Sequence, residues 1–151
     1  MKRFNFTLEK VLSIRSHREQ EAKIELGRAM GILADIENRL KGIAAERVEA
    51  AGNRFSAANS AADILSYELY IKRLDADTER LLKEAAQAEL LVNQARDVFI
   101  EASRDRKVLD KVKEKQREEY RKLCLAEETK VLDDISGGTA ARQLVSHGKG
   151  L

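Results

Sequence analysis

Proline and tryptophan are absent from this 151-residue chain, cysteine occurs once, and aromatic residues make up only 5% of it. Without proline, nothing in the chain forces a helix to kink or end. The single cysteine, Cys124, excludes an internal disulfide and favours a reducing compartment. Scarce aromatic residues beside 36% charged residues suit helices packed in pairs better than a multilayered core. These shortages predict long, solvated helices rather than a globular domain.

Long hydrophobic runs are missing as well. No stretch approaches the roughly 18 apolar residues that a helix needs to span a bilayer. The opening Met-Lys-Arg-Phe-Asn-Phe leads directly into charged residues and lacks the apolar core of a signal peptide. We therefore expect a soluble, cytoplasmic protein.

The chain does contain two hydrophobic stripes with alternating steps of three and four residues. This 3.5-residue period keeps one seam facing a partner helix and is typical of a coiled coil. The longer stripe is formed by Ile64, Tyr67, Ile71, Leu74, Thr78, Leu81, Ala85, Ala88, Val92, Ala95, Phe99, Ala102, Arg106, Leu109, Lys113, Gln116, Tyr120 and Leu123. The shorter, upstream stripe is formed by Ala22, Leu26, Ala29, Leu33, Ile36, Leu40 and Ile43, and then slips by one place to Ala44, Val48, Ala51, Phe55 and Ala58. Two stripes with one short break predict an all-α fold, a long two-helix antiparallel coiled-coil hairpin.

The break between the stripes sets the boundaries. Residues 52–60 are rich in glycine, asparagine and serine, and Ser60 with Asp63 forms an acidic variant of the capping box. The sequence predicts a single hairpin over residues 1–135, with helix one at about 6–56, a turn within about 52–63, and helix two at about 61–135. Gly137 and Gly138 are predicted to end helix two, which leaves 136–151 as a mobile C-terminal tail.

Basic charge is concentrated at the end of the hairpin that holds both termini. Residues 1–28 contain seven Lys/Arg against four Glu, and residues 104–122 contain nine Lys/Arg against five Asp/Glu. With the turn near residue 59, residue i of helix one should lie opposite residue 118 − i of helix two, for example residue 9 opposite residue 109. Helix two is therefore expected to overhang helix one at this end. The charge there is interpreted either as a solvated helix face or as a docking surface for another protein.

Motifs for catalysis are lacking. His17 and His147 have no second ligand at metal-binding spacing, and Cys124 has no histidine placed to activate it. Neither of the glycine-rich patterns that bind nucleotide phosphates, GxxxxGK[ST] and GxGxxG, occurs in the sequence. We expect no enzyme activity, no catalytic residue, no metal, no cofactor, no small-molecule substrate and no nucleic-acid partner.

Both ends of the sequence nevertheless resemble one family. The opening pattern Phe4-x-Phe6-x-Leu8-x-x-Val11-Leu12-x-x-Arg15-x-x-x-Glu19 is similar to the start of the FliJ family of flagellar export proteins. Its C-terminal signature resembles Arg104-Asp105-Arg106-Lys107-x-Leu109-Asp110-Lys111-x-Lys113-Glu114-Lys115-x-x-Glu118-x-Tyr120, and the acidic stretch from Glu127 to Ile135 also fits.

The resemblance implies a function and partners. Members of the family are soluble components of the flagellar type III export apparatus, and they resemble the central stalk of rotary ATPases. The implied partners are the hexameric export ATPase, which the stalk enters and helps to assemble, the membrane export gate and, in some members, export chaperones. The protein would then be cytoplasmic and peripherally associated with the inner membrane at the flagellar base.

The resemblance also implies site residues. The ATPase-docking candidates carried over from the family are Phe4, Phe6, Leu8, Arg15, Lys113, Glu114, Glu118 and Tyr120, and the basic run adds Lys115 and Arg117. The export-gate candidates near the turn are Tyr67, Tyr70, Ile71 and Leu74, of which only Tyr70 lies off the predicted seam. Two alternatives stay open at this point: a generic coiled-coil tether or export-chaperone escort, and the equivalent stalk of a virulence injectisome.

Overall fold

Two long helices make up the protein. A computed structural model describes the backbone of residues 3–147 and the side chains of residues 3–139. Helix α1 is Glu9–Asn53, 45 residues, and α2 is Ala61–His147, 87 residues. They pack against each other as a helical hairpin, so the predicted all-α coiled-coil hairpin is confirmed. The chain divides into two compact units: a turn unit, Arg15–Arg104, and a terminal unit, which combines the residues up to Ile14 with those from Asp105 onward.

The core of the turn unit follows the predicted stripes. Ile36, Leu81 and Ala88 form a buried cluster, and half-buried Leu33, Leu40, Ile43 and Ala85 pack against it. Every stripe position from Ala22 to Ile43 on α1, and from Ile64 to Ala102 on α2, is buried or half-buried. Burial of these apolar side chains drives the helices together, at roughly 25 cal/mol per Å² removed from water.

The predicted slip of the α1 stripe after Ile43 is wrong. Val48 and Phe55, which the slipped stripe would bury, are 72% and 69% exposed. The period instead continues through exposed Arg47 to Ala50, which is buried, and to Arg54, which is half-buried. An arginine can occupy a seam position because its aliphatic stem packs while its guanidinium reaches a partner, here Glu68 on α2.

The turn lies within the predicted range. Residues 54–60 join the helices, and the Asn59 side-chain amide donates to the carbonyls of Asn53 (2.7 Å) and Arg54 (3.1 Å), which closes the C-terminal end of α1. At the start of α2 the Asp63 carboxylate accepts from the Ser60 amide (2.8 Å) and hydroxyl (2.7 Å). The backbone N–H of Asp63 donates in return to the Ser60 hydroxyl oxygen (3.3 Å). The predicted capping box is confirmed.

In the terminal unit, a short non-helical segment precedes α1. Helix α1 begins at Glu9, three residues later than predicted. The residues before it are not helical, and in this conformation the Phe6 side chain is buried. Phe6, Leu12 and Leu109 form a buried cluster, with Phe4 and Val112 packed against it. This cluster fastens the start of the chain to α2.

The predicted end of α2 near residue 135 is wrong. The helix continues to His147, so the proposed mobile tail is helical over 136–147, and residues 148–151 lie outside the described part of the chain. Neither Gly137 nor Gly138 has the positive φ of a helix-ending glycine. The Ser136 and Thr139 hydroxyls donate to the carbonyls of Leu132 (2.7 Å) and Ile135 (3.0 Å), as in a continuing helix. From Leu125 to Thr139 every side chain is exposed, which confirms the predicted overhang.

Candidate docking surfaces

The start of the chain is held on α2 by two aromatic residues and one ion pair. The ring of Phe4 lies 5.6 Å from that of Tyr120, tilted by 49°. The Lys113 ammonium lies 5.8 Å from the centre of the Phe6 ring and 2.7 Å from the Glu9 carboxylate. We call these five residues the aromatic anchor. Through these contacts the anchor holds the segment before α1 against the basic stretch of α2.

One hydrogen bond extends the anchor along α2. The Cys124 side chain, one turn beyond Tyr120, hydrogen-bonds to the tyrosine hydroxyl and raises the pKa of Tyr120 above its ordinary value. Cys124 is a free, half-buried thiol.

Burial separates the ATPase-docking candidates of the terminal unit into two groups. Phe6 is 4% exposed, and Phe4, Lys113 and Tyr120 are half-buried, so these four hold the anchor together. The exposed candidates are Leu8, Glu114, Lys115, Arg117 and Glu118. The remaining candidate, Arg15, is half-buried on α1 within the turn unit.

The exposed face beside the anchor is a charged surface of α2. Glu114, Arg117, Glu118 and Arg121 line a shallow groove, since positions three and four apart share one side of a helix. The Glu118–Lys122 pair is 3.3 Å long, but its side chains are 65% and 73% exposed. Exposed pairs of this kind contribute little to stability, so their charges can be redirected to a partner at small cost.

A second surface lies beside the turn. The Tyr70 hydroxyl donates to the Glu46 carboxylate at 2.9 Å, which raises the pKa of Tyr70, and its side chain is 42% exposed. Glu46, Glu49, Ala50, Asn53, Tyr67 and Tyr70 line a groove there. Of the export-gate candidates, Ile71 and Leu74 are buried in the seam (8% and 5% exposed), so Tyr70 and half-buried Tyr67 are the ones that face the groove.

The sequence indicated four of the five anchor residues, all except Glu9, but not the contacts between them. It placed residue 9 opposite residue 109, whereas Glu9 contacts Lys113, one turn further along α2. A usable signal was present: Phe4 and Phe6 are half of the four phenylalanines in the chain. Burial of two such large apolar side chains is favourable, which makes a contact with the neighbouring helices a reasonable expectation.

His17 has an ordinary environment, whereas the side chain of His147 lies outside the described residues. His17 lies 3.2 Å from Glu21 on the next turn of α1, with both side chains mostly exposed. Among the described residues, no group of three His, Cys, Asp or Glu side chains could hold a metal ion. Neither helix, over its described length, is apolar enough to cross a membrane.

Comparison with known proteins identifies the family. No curated protein matches the chain. Among solved structures, a chain from Chlamydia trachomatis described as a YscO homolog matches with 19% identity and a TM-score of 0.41, covering 99% of this chain and 100% of its own length. The family model "Flagellar FliJ protein" matches residues 4–144. Because this match extends over nearly the whole sequence, including the anchor and both helices, the chain belongs to the FliJ family of flagellar proteins.

Proposed function

We propose that this protein is the stalk of the flagellar type III export apparatus, which binds the hexameric export ATPase, promotes its assembly or activity and links it to the membrane export gate. Family membership supports the place in flagellar export. The ATPase contact is proposed from one structural observation: the aromatic anchor fastens the chain's first residues beside a mostly exposed stretch of α2, residues 111–122, in which basic side chains outnumber acidic ones.

The anchor has a defined part in this proposal. Phe6 is buried, so it positions its neighbours rather than contacting the ATPase. The contact itself falls to Leu8, Lys115 and Arg117, which are exposed. Basic side chains suit a ring lumen lined with carboxylates, where complementary charge sets the approach and orientation of a stalk more than its affinity.

The gate contact is proposed for the groove beside the turn. Tyr70 offers an exposed aromatic ring, and Glu46 and Glu49 give the same groove a negative character. Aromatic side chains at the rim of a groove are frequent anchors of protein interfaces. Ile71 and Leu74 contribute indirectly, because their burial in the seam fixes the helix that carries Tyr70.

The remaining parts of the proposal concern location and chemistry. The protein would work in the cytoplasm, peripherally associated with the inner membrane at the flagellar base, and export chaperones are further candidate partners. It would have no catalytic role and need no cofactor, since ATP hydrolysis belongs to the ring that it binds.

Reversal of two exposed charges tests the ATPase contact. The variant Lys115→Glu with Arg117→Glu should lower the stimulation of ATP hydrolysis by the purified export ATPase, and wild-type stimulation should fall as salt rises. Lys113 is left unchanged, because its pairing with Glu9 would make its reversal a test of folding. The matched control is Lys83→Glu with Arg96→Glu, two basic residues of α2 in the turn unit that are also exposed.

Three outcomes are distinguishable. Loss of stimulation in the first variant but not in the control supports the proposal. Equal loss in both variants would show an effect of net charge. Binding without any change in ATP turnover, even for the wild type, would contradict the stalk and favour the generic tether.

A further inference from the structure

The groove beside the turn has an uncompensated negative charge. Two of its lining residues, Glu46 and Glu49, are acidic, and none of the six is basic. Both glutamates are exposed and lie one turn apart on α1, where like charges are mildly destabilising. The Glu46 carboxylate accepts a hydrogen bond from Tyr70, whereas the Glu49 carboxylate forms no ion pair or hydrogen bond with the residues that the structure describes. The groove can therefore accept a positive charge.

The arginines around the groove do not supply that charge. Arg47 and Arg54, the two at this end of α1, are each paired with a carboxylate of α2. Arg73 lies close enough to Tyr70 to oppose the rise in the pKa of its hydroxyl, yet it does not line the groove. The last turn of α1 contains no basic residue, and its carbonyl groups carry the negative end of the helix dipole. A cation that occupies the groove therefore has to come from a partner.

We infer that the groove receives an arginine side chain from a basic segment of its protein partner. This inference rests on the gate contact proposed above, because it names the chemistry that the gate has to offer there. Arginine fits better than lysine, since its planar guanidinium stacks on an aromatic ring while it donates two hydrogen bonds to a carboxylate. The Tyr70 side chain is 42% exposed, and its hydroxyl lies 2.9 Å from the Glu46 carboxylate. The ring and the carboxylate are thus already held together for such a side chain.

The size of the groove agrees with a single long side chain. Its volume is about 260 Å³, below the roughly 300–1,000 Å³ of pockets that bury small molecules. Half-buried Tyr67 and buried Ala50 add apolar lining, which suits the aliphatic stem of an arginine. A small, open contact of this kind should hold a short peptide only weakly, at about millimolar concentration, and gain strength as part of a larger interface.

Amide chemical shifts of the isotope-labelled full chain test the site with a defined probe. The peptide acetyl-Gly-Arg-Gly-Arg-Gly-amide should shift the residues that line the groove. Its citrulline counterpart, which has a similar shape without the charge, should bind about tenfold more weakly. The variant Glu46→Gln with Glu49→Gln should weaken binding of the arginine peptide by about tenfold as well. The matched control, Asp35→Asn with Glu37→Gln, removes the same charge from exposed positions of α1 outside the groove and should bind as the wild type does.

Four results would overturn the inference. They are absence of binding or shifts only outside the groove, equal binding of the citrulline peptide, unchanged binding by the Glu46→Gln, Glu49→Gln variant, and an equal loss in the control pair. The last of these would show a general effect of net charge rather than a site.

A second experiment separates this inference from the proposed gate contact. The cytoplasmic part of the export gate is tested for binding to the wild type, to the Glu46→Gln, Glu49→Gln variant and to Tyr70→Leu. Loss of binding in both variants supports the arginine site as part of the gate contact. Loss in Tyr70→Leu alone would leave the gate contact standing and overturn the arginine inference. If the gate protein binds all three equally, or none of them, while the arginine peptide still binds at the groove, the arginine site stands and the proposed gate contact fails.

Discussion

Phe6→Ala should release the first residues of the chain from α2. The ring is 4% exposed, and a buried phenylalanine hides about 175 Å² of surface, worth about 4 kcal/mol at 25 cal/mol per Å². The unfolded chain already covers part of this area, which reduces the expected loss to about 3 kcal/mol. Because Phe6 packs only within the terminal unit, this loss should appear as local opening of the start of α1.

Hydrogen exchange resolves that local loss. Amide protection over residues 9–14 should fall by about a hundredfold, since each 1.4 kcal/mol is a factor of ten, while protection near Ile36 and Leu81 stays unchanged. Phe55→Ala is the matched control, because that ring is 69% exposed and its centre lies 4.4 Å from the Arg54 guanidinium, outside the terminal unit. Unchanged protection at 9–14 in Phe6→Ala would refute the anchor, as would an equal effect of Phe55→Ala.

Three smaller predictions concern α1, the turn and the seam. Gly27→Ala and Gly31→Ala should each stabilise α1 by about 0.5–1 kcal/mol in thermal unfolding, because an added methyl group meets no atom within 4 Å and alanine is the better helix former. The Ser60 hydroxyl and amide lower the pKa of Asp63 in the folded protein. Their contribution to stability is therefore present above the unfolded pKa of 3.8 and is lost as pH falls through the lower folded pKa. Asp63→Asn should remove that acid dependence of the melting temperature. Phe99→Ala should cost less than the 3 kcal/mol or so of a fully buried ring, because Phe99 is only half-buried; an unchanged melting temperature would show that it lies off the seam.

The seam was predictable because its period is carried by apolar residues. From Ile64 to Ala102 the sequence pattern and the observed burial agree at each stripe position, since burial of apolar surface is what selects the face of a long helix. The capping box at Ser60 was predictable for a different reason: it is a local motif, and its hydrogen bonds depend only on residues three apart.

The two predictions that were wrong, the slip of the α1 stripe and the end of α2, depend on arginines and glycines rather than on apolar residues. Near the turn, the α1 seam passes through Arg47 and Arg54, which reach Asp75 and Glu68, and a search for apolar residues moved to the wrong face. At the other end, Gly137 and Gly138 allow a helix to end but do not force it. In both cases the residue type alone favours the wrong structure: an arginine is typical of an exposed helix face, and a pair of glycines is typical of a helix end.

The contacts within the aromatic anchor could not be derived from periodicity. Phe4 and Phe6 precede α1 and belong to no stripe, so the pattern gave no register between them and α2. Their placement depends on which residues of the two helices lie opposite each other. Glu9 was expected opposite residue 109, but it contacts Lys113, one turn further along α2. The sequence therefore predicted which residues are docking candidates, but not which of them lie together or are exposed.

Site-specific photo-cross-linking tests the central claim most directly. A photoreactive amino acid would replace Lys115, in the mainly basic stretch 111–122 of α2. In the matched control it would replace Lys83, which is exposed on α2 in the turn unit. Each variant would be irradiated with the assembled export ATPase. The account predicts a cross-link from position 115 that weakens with salt, and little or none from position 83. A cross-link from position 83 alone, or none from position 115 while the protein still stimulates the ATPase, would contradict it.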